Sequence, residues 1–578
     1  MDWIKKMLDQ VDRDELWNTV TWLTENTPYR LAGSTQEAQA AEYITGRMKE
    51  YGLETSNTVF RTYNSAPLSS SLEVTSPVRR KLESLPCAHI RSTSPEGGDY
   101  ELVYAGNGDY SAYEKLDIKG KVALVEVSYA PPVPEKARIA YEMGAAGIVC
   151  MNWGNDEGVI CHRGLKAVWG NPTEETFKKI PDLIGVGVTH TDGLWLRELC
   201  EKGTVTIHVA AQASREWTPV HQPCGILRGN GKRDQMLLIC SHLDAWQPGV
   251  TCNATGNATT LELCRILSQH RNELDRDIYF VFWNGHEIAE AAGSTWFLDH
   301  NWDMLNRKCV CYMHVDSTGV GETSIYEIKS SDELLHFAAD NVQSVVPGDL
   351  RAMTLRKIGD QSFMGIGIPA VAQRMSFTKE AMEYAHGATL GWWNHTCEDG
   401  LDKCDLDILV TDTKVSLAMI CKLANSRVLP YDFKEKLERF QNNLQELDIR
   451  YGDKIEIGTL RDALEKAKEK VLSLQALAPE LPDEKTACCN EALITVSRLL
   501  TNVSQTYADK YQQDSYGHTF LSFPVPLLAQ LSLLEEYPED SLDYGLIETQ
   551  LVKNRNRISD AISQLDQMMS LYLAVLKG

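Results

Sequence analysis

Met236-Leu-Leu-Ile-Cys240 is an apolar run that stops at Ser241-His242-Leu243-Asp244. It reads as a buried β-strand delivering polar groups at its carboxyl end. The pattern recurs where Ile278-Tyr-Phe-Val-Phe-Trp283 leads into Asn284-Gly285-His286-Glu287, and where Cys309-Val-Cys-Tyr-Met-His-Val315 leads into Asp316. In a parallel α/β sheet the loops after the strands converge on one edge, so these three ends are expected to face a common space. His395, within Trp392-Trp393-Asn394-His395-Thr396, can complete the set.

Around these strands, residues 225 to 425 alternate apolar runs with helical stretches such as Thr259 to His270 and Ser330 to Val342. The expectation is an α/β fold, a mixed, largely parallel sheet covered by helices. Upstream, Ser34-Thr-Gln-Glu37 is a capping-box pattern opening a helix with Ala38, Ala41, Ile44 and Met48 on one face, closed by Gly52. Residues 55 to 95 predict a hairpin or a wandering connection. From about 97, strands at Gly120–Val127, Gly147–Met151, Pro181–Val188 and Val205–Val209, with a helix at Glu135–Met143, predict a compact α/β insert, none of whose residues has a catalytic spacing.

After Pro430 the strands give way to helical patterns: Phe433, Leu437, Phe440, Leu444 and Leu447, then Leu460, Leu464, Ala467, Val471 and Leu474. The last helix carries Ile558, Ile562, Leu565, Met569 and Leu573 in one stripe, read as the core of a helical bundle, with a homodimer interface as the second reading. The predicted division is 1–96, an N-terminal part of the catalytic domain, 97–217, the insert, 218–430, the catalytic domain, and 431–578, a C-terminal helical domain.

A chain of 578 residues exceeds one core, since cores stop growing near about 250 residues. A formal charge of −23 without a basic stripe argues against nucleic acid as a partner. No apolar run suits a signal peptide or a membrane span, and the 15 cysteines, including adjacent Cys488 and Cys489, read as reduced core residues. A cytoplasmic protein without a membrane partner is expected. The sequons at Asn253, Asn257 and Asn394 fall in the site region and read as accidental.

Hydrolysis of an unactivated amide needs a Lewis acid, a water of lowered pKa and a base. Imidazole, carboxylate and thiolate are the side chains that hold Zn²⁺. His242, Glu287, Asp316 and His395 supply the first two, and Cys252 is either the third or a small structural thiol. Asp244 shares a face with His242 and can orient its imidazole through the carboxylate. Either Glu287 is the ligand and His286 the base, or the reverse. His314 reads as packing, His386 as a rival ligand, and Trp392 and Trp393 as pocket wall or core. Tyr384 and Arg374 have no spacing argument behind them.

These residues resemble a family. His242-Leu-Asp244, Thr251-Cys-Asn-Ala-Thr-Gly256, Phe282-Trp283 ending in His286-Glu287 with Gly293-Ser294 beyond, Val315-Asp316-Ser317 and His395-Thr-Cys-Glu-Asp-Gly-Leu-Asp-Lys403 are similar, in order and separation, to the co-catalytic zinc peptidases, which include zinc aminopeptidases, glutamate carboxypeptidase and glutaminyl cyclases. Asp117-Ile-Lys-Gly-Lys121 with Ala140-Tyr-Glu-Met-Gly-Ala-Ala-Gly147 resembles the protease-associated domain. The resemblance implies one metal on His242 and Asp316, another on Glu287 and His395, and a bridging aspartate whose position is Cys252 here. The family's base, a glutamate, falls on His286, which is expected to stay neutral beside a dication. The implied cofactor is one or two Zn²⁺ ions, and the implied substrate a peptide or small amide. The expected activity is hydrolysis of peptide or amide bonds, with aminopeptidase action as the family default. The alternatives are a catalytically silent binding or assembly protein, and cyclase or amidase chemistry on the same fold.

Overall fold

The computed structural model describes residues 2–155 and 158–578, and among these it contains two eight-stranded sheets. The central sheet comprises β1 (Glu54–Asn64), β2 (Glu216–Leu227), β3 (Met236–His242), β4 (Asp277–Trp283), β5 (Cys309–His314), β6 (Ile325–Ser330), β7 (Leu350–Thr354) and β8 (Ala370–Ser376). They lie side by side in the order β1-β2-β4-β3-β5-β8-β6-β7. β3 pairs in parallel with β4 and β5, β5 with β8, and β6 with β7, while β1–β2, β2–β4 and β6–β8 are antiparallel. The sheet is therefore mixed, with a parallel centre.

Both faces of that centre are covered, which explains the unbroken apolar runs. Leu237 and Ile239 of β3, with Phe280 of β4, join the larger core beneath α1 (Thr35–Glu50), α2 (Thr255–Gln269) and α3 (Leu406–Asn425). Met236, Leu238 and Cys240 face a second core with Trp283, Phe297 and Phe363. Each such side chain contributes about 1.5–3 kcal/mol on burial. α1 begins as its cap predicts, Ser34 Oγ accepting from Glu37 N at 3.0 Å. The Glu37 carboxylate, however, turns inward to accept from His221 N at 3.0 Å and Asn284 Nδ2 at 2.7 Å, and burial pushes its pKa up to about 8.

Residues 55 to 95 form neither a simple hairpin nor a connection. β1 stays in the central sheet, whereas Pro67–Ser76 crosses into the second one, beside Val205–Ala213. That second sheet, with Gly98–Tyr104, Val122–Glu126, Gly147–Met151 and Ile184–Val188 in its centre, encloses its own core. The whole insert grows from one hairpin end, because Asn64 at the end of β1 is directly opposite Glu216 at the start of β2.

Beyond residue 430 come α4 (Lys434–Tyr451), α5 (Ile457–Leu477), α6 (Thr486–Ser504) and α7 (Leu542–Lys577). The stripe from Ile558 to Leu573 is buried within this chain, in the same core as the central sheet. Lys436 and Glu333 make a buried ion pair at 3.1 Å across the seam, and Arg498 donates to the backbone oxygens of Gly367 and Cys309 at 2.6 Å each. Among the described residues no helix is long and apolar enough to cross a membrane.

Candidate metal centre

Four loops at the carboxyl edge of β3, β4 and β5 bring the five side chains together. His242 closes β3, Cys252 lies in the turn before α2, Glu287 follows β4, Asp316 follows β5, and His395 sits in the loop before α3. Cys252 Sγ is 3.7 Å from His242 Nε2, 3.5 Å from Glu287 Oε1 and 3.6 Å from His395 Nε2. His242 Nε2 is 3.4 Å from Asp316 Oδ1, and His395 Nε2 is 3.1 Å from Glu287 Oε2. Ligand atoms arranged tetrahedrally at zinc distances lie about 3.3–3.8 Å from one another, so the spacing and the donor set fit a divalent ion of zinc's size. His242, Cys252 and Glu287 each offer an atom within 4.8 Å of the others'.

The turn carrying Cys252 is clamped from three sides. Gly249 adopts a left-handed φ of 62°, and a Cβ there would come within 2.5 Å of Ala245 Cβ, so the position demands glycine. Arg30 donates to the backbone oxygens of Leu243 at 2.9 Å and Pro248 at 3.0 Å. Asp399 accepts from Thr251 N at 2.9 Å and Cys252 N at 3.1 Å, and burial raises its pKa to about 6. Asn253 ties the turn to the end of β5, accepting from Ser317 N at 3.0 Å and donating to Val315 O at 3.2 Å.

Asp244 works differently from the sequence expectation. His242 Nδ1 faces the Asp244 backbone oxygen at 2.8 Å, not its carboxylate. The carboxylate accepts from His286 N at 3.1 Å and Glu287 N at 3.0 Å, fixing the bend that separates those two side chains. Burial raises its pKa to about 6. After that bend Glu287 turns toward Cys252 and His395, while His286 stacks on His242 with ring centres 3.9 Å apart. His286 Nδ1 bonds Asp360 Oδ2 at 2.8 Å.

Electrostatics follow from these pairings. Burial disfavours the Glu287 charge, yet His395, His286 and His242 together hold its pKa down at about 2. Asp316 also lies well below the carboxylate range against burial, because His242 and His314 bond to it. Burial, then Glu287 and Asp316, push the Cys252 thiol well up. The expectation of a neutral His286 did not include Asp360: burial opposes the charge, but Asp360 outweighs it and lifts the ring well above its ordinary value.

A cavity of about 740 Å³ opens over the cluster. The insert, none of whose residues has a catalytic spacing in the sequence, supplies Tyr129, Arg163 and Trp169 to its wall. The segment around Tyr516 and His518, between α6 and α7, forms another part. It is pinned by Gln513 Nε2 to Ser362 O at 3.0 Å and by Thr519 N to Glu135 of the insert at 2.9 Å. Arg374 lines the cavity and donates to Asp316 O at 3.0 Å. His314 Nε2 lies 3.5 Å from Asp316 Oδ2, at the edge of the cluster. His386 instead stacks on His190, and Tyr384 is 76% exposed. Trp393 is buried and donates to Thr251 Oγ1 at 3.2 Å, serving as support for the turn.

Sequence reasoning missed Arg163, Asp360 and Arg30. Asp399 was visible within the His395–Lys403 motif but went without a role.

Comparison with known proteins agrees with this architecture. Residues 224–419 match the family model "Peptidase family M28", and residues 98–196 match the PA domain. The chain is 23% identical over 498 residues to "Probable glutamate carboxypeptidase VP8" of Zea mays, covering 72% of this chain and 68% of the relative. Its fold is similar to that of "Peptidase M28 precursor" from Shewanella amazonensis SB2B, with a TM-score of 0.61 and 18% identity over 74% of this chain and 97% of the other. It is also similar to BSAP, a zinc aminopeptidase from Bacillus subtilis, with a TM-score of 0.55 and 19% identity over 71% and 94% of the two chains.

Proposed function

From a chain that carries a peptidase family M28 domain with a PA domain inserted ahead of it, we propose a zinc-dependent hydrolase of peptide or amide bonds, with aminopeptidase action as the first activity to test. The observation that carries this reading is the convergence of two imidazole nitrogens and a glutamate oxygen within 3.5–3.7 Å of Cys252 Sγ. His242, Cys252 and Asp316, with Glu287 beside them, would hold the ion. Bound there, a divalent cation supplies Lewis acidity to a carbonyl and to water.

His286 stands where a base is needed. Asp360 holds its Nδ1–H and favours the charged ring, so Nε2 can take the proton of an attacking water only in the neutral form, which a dication bound alongside would favour, and return it to the leaving amine. Asp360 is itself fixed by Ser294 Oγ at 3.0 Å, and Ser294 by Ser362 Oγ at 2.8 Å, to which Trp169 Nε1 donates at 2.9 Å. Asp244 holds the backbone of both His286 and Glu287, so it positions base and ligand together. The walls from the insert and from the segment around Tyr516 limit water around the reacting atoms, which strengthens each of these electrostatic contacts.

The test is hydrolysis of aminoacyl amides, dipeptides and N-acyl amino acids before and after chelation. Activity that disappears with chelator, returns with zinc and falls sharply in His286→Ala supports the reading. A folded protein that binds no metal would sink it. Turnover of none of these substrates despite bound zinc would favour a binding or assembly role instead.

A further inference from the structure

The two imidazoles that aim Nε2 at Cys252 are held at their other nitrogen by opposite kinds of group. His242 Nδ1 lies 2.8 Å from a backbone carbonyl oxygen, that of Asp244. A carbonyl only accepts, so Nδ1 carries the ring proton and Nε2 keeps a lone pair for a metal. His395 Nδ1 lies 3.1 Å from Arg163 Nη1. A guanidinium only donates, and it stays charged at any working pH. This Nδ1 must therefore accept, and the proton of the neutral ring sits on Nε2. That nitrogen faces Glu287 Oε2 at 3.1 Å and Cys252 Sγ at 3.6 Å, either of which can receive it. A protonated nitrogen has no lone pair to offer a cation.

Arg163 is not an incidental neighbour. It is 9% exposed, its guanidinium lies 4.4 Å over the Trp153 ring, and its Nε and Nη2 make no other hydrogen bond among the described residues. The backbone on either side of the contact is locked, His162 N donating to His395 O at 2.8 Å and Cys161 Sγ lying 3.2 Å from Asn394 O. The insert thus delivers a fixed positive charge to the His395 side of the cluster.

Arg374 lies 4.0 Å from Asp316 Oδ2, so with Arg163 beside His395 two fixed guanidinium charges already face the groups that a second dication would need, and like charges at that range repel.

We infer that this cluster binds one metal ion rather than two: the ion is held from the His242 side with Cys252 and Asp316, while Arg163 takes the place of a second cation by keeping His395 as a hydrogen-bond donor to Glu287. The inference rests on the metal-dependent reading above and adds how many ions that reading requires. His395 is then a positioning residue for Glu287.

Zinc content by elemental analysis and native mass spectrometry, with X-ray absorption at the zinc edge, tests it on the full chain at saturating zinc. The expected result is one zinc per chain, with one imidazole and one sulfur among its ligands and no metal–metal scattering. His395→Ala should retain the single ion, His242→Ala should lower zinc affinity at least 100-fold, and Arg163→Ala should admit a second ion. Two ions in the parent protein, two imidazoles on the single zinc, or loss of the ion in His395→Ala with retention in His242→Ala would each overturn the inference while leaving metal-dependent hydrolysis standing. Folded parent protein without any metal would instead remove the functional reading on which it rests.

Discussion

The insert and the segment joining α6 to α7 both wall the same cavity, but the insert and the C-terminal helices are attached to the catalytic sheet in opposite ways. The insert has a sheet and a core of its own and leaves the central sheet through two adjacent strand ends, Asn64 facing Glu216. The C-terminal helices have no separate core, since their buried stripes run directly into the one beneath β3 and β4. One region is an appendage that reaches inward through a few side chains, and the other is part of what keeps the sheet folded. Proximity to a site therefore says little about dependence of the fold on a region.

The bluntest way to break this comparison is to remove each region. Joining Asn64 to Glu216 through an Asn-Gly turn, which suits a two-residue hairpin, should leave a soluble protein with one cooperative melting transition and no peptidase activity. Ending the chain after Pro430 should give aggregated protein, because it uncovers the apolar face that α4 to α7 bury. Comparable solubility and melting of the two products would refute the contrast. Next in size is the seam itself. Glu333→Ala leaves Lys436 buried without its anion, and the expected loss is about 3–5 kcal/mol in denaturant unfolding; a loss below 1 kcal/mol would mean that the seam is looser than the burial indicates.

A third effect depends on pH. Glu37, beneath β2 where the hairpin begins, has its pKa raised by burial from 4.5 to about 8. The unfolded chain releases this proton at lower pH than the folded one, so stability falls as pH rises from about 4.5 to 8. Glu37→Gln removes that slope, and its unfolding free energy relative to the parent's, from denaturant titrations, should climb between pH 5 and pH 8 by an amount on the order of 3 kcal/mol. Parallel pH profiles for the two proteins would refute it. Smaller again, Asp360→Asn should lower kcat about 10- to 100-fold with little change in KM, as loss of an orienting partner does. Trp169→Phe, which removes only the insert's hydrogen bond to Ser362, should cost about 1 kcal/mol, read as a several-fold fall in kcat. A Trp169 effect equal to that of Asp360 would show the insert to be more deeply coupled to the chemistry than its attachment implies.

Legibility in the sequence followed the same divide. The strands β3, β4 and β5 could be read because burial on both faces forces uninterrupted apolar runs, and the side chains at their ends stood out against them. His395 was found through the motif around it. Arg163 could not be found, since its contact with His395 spans separate regions of the chain and neither periodicity nor spacing encodes a meeting between two loops. Asp360 was hidden for the same reason, and its absence misled the reading of His286 charge. Asp244 was read as the carboxylate that orients His242, but a spacing of two residues cannot tell a carboxylate contact from a backbone one, and the contact is with the backbone oxygen. The stripe on α7 was legible as apolar, and the structure shows it packed within its own chain.

The cavity draws its walls from the insert, the central sheet and the segment around Tyr516, three stretches that leave the ribosome at widely separated times. Because the core beneath β3 and β4 is completed by the last helices, the ligand-bearing strands reach their final packing only after the third stretch has emerged, and the reactive groups are assembled and enclosed in the same late step.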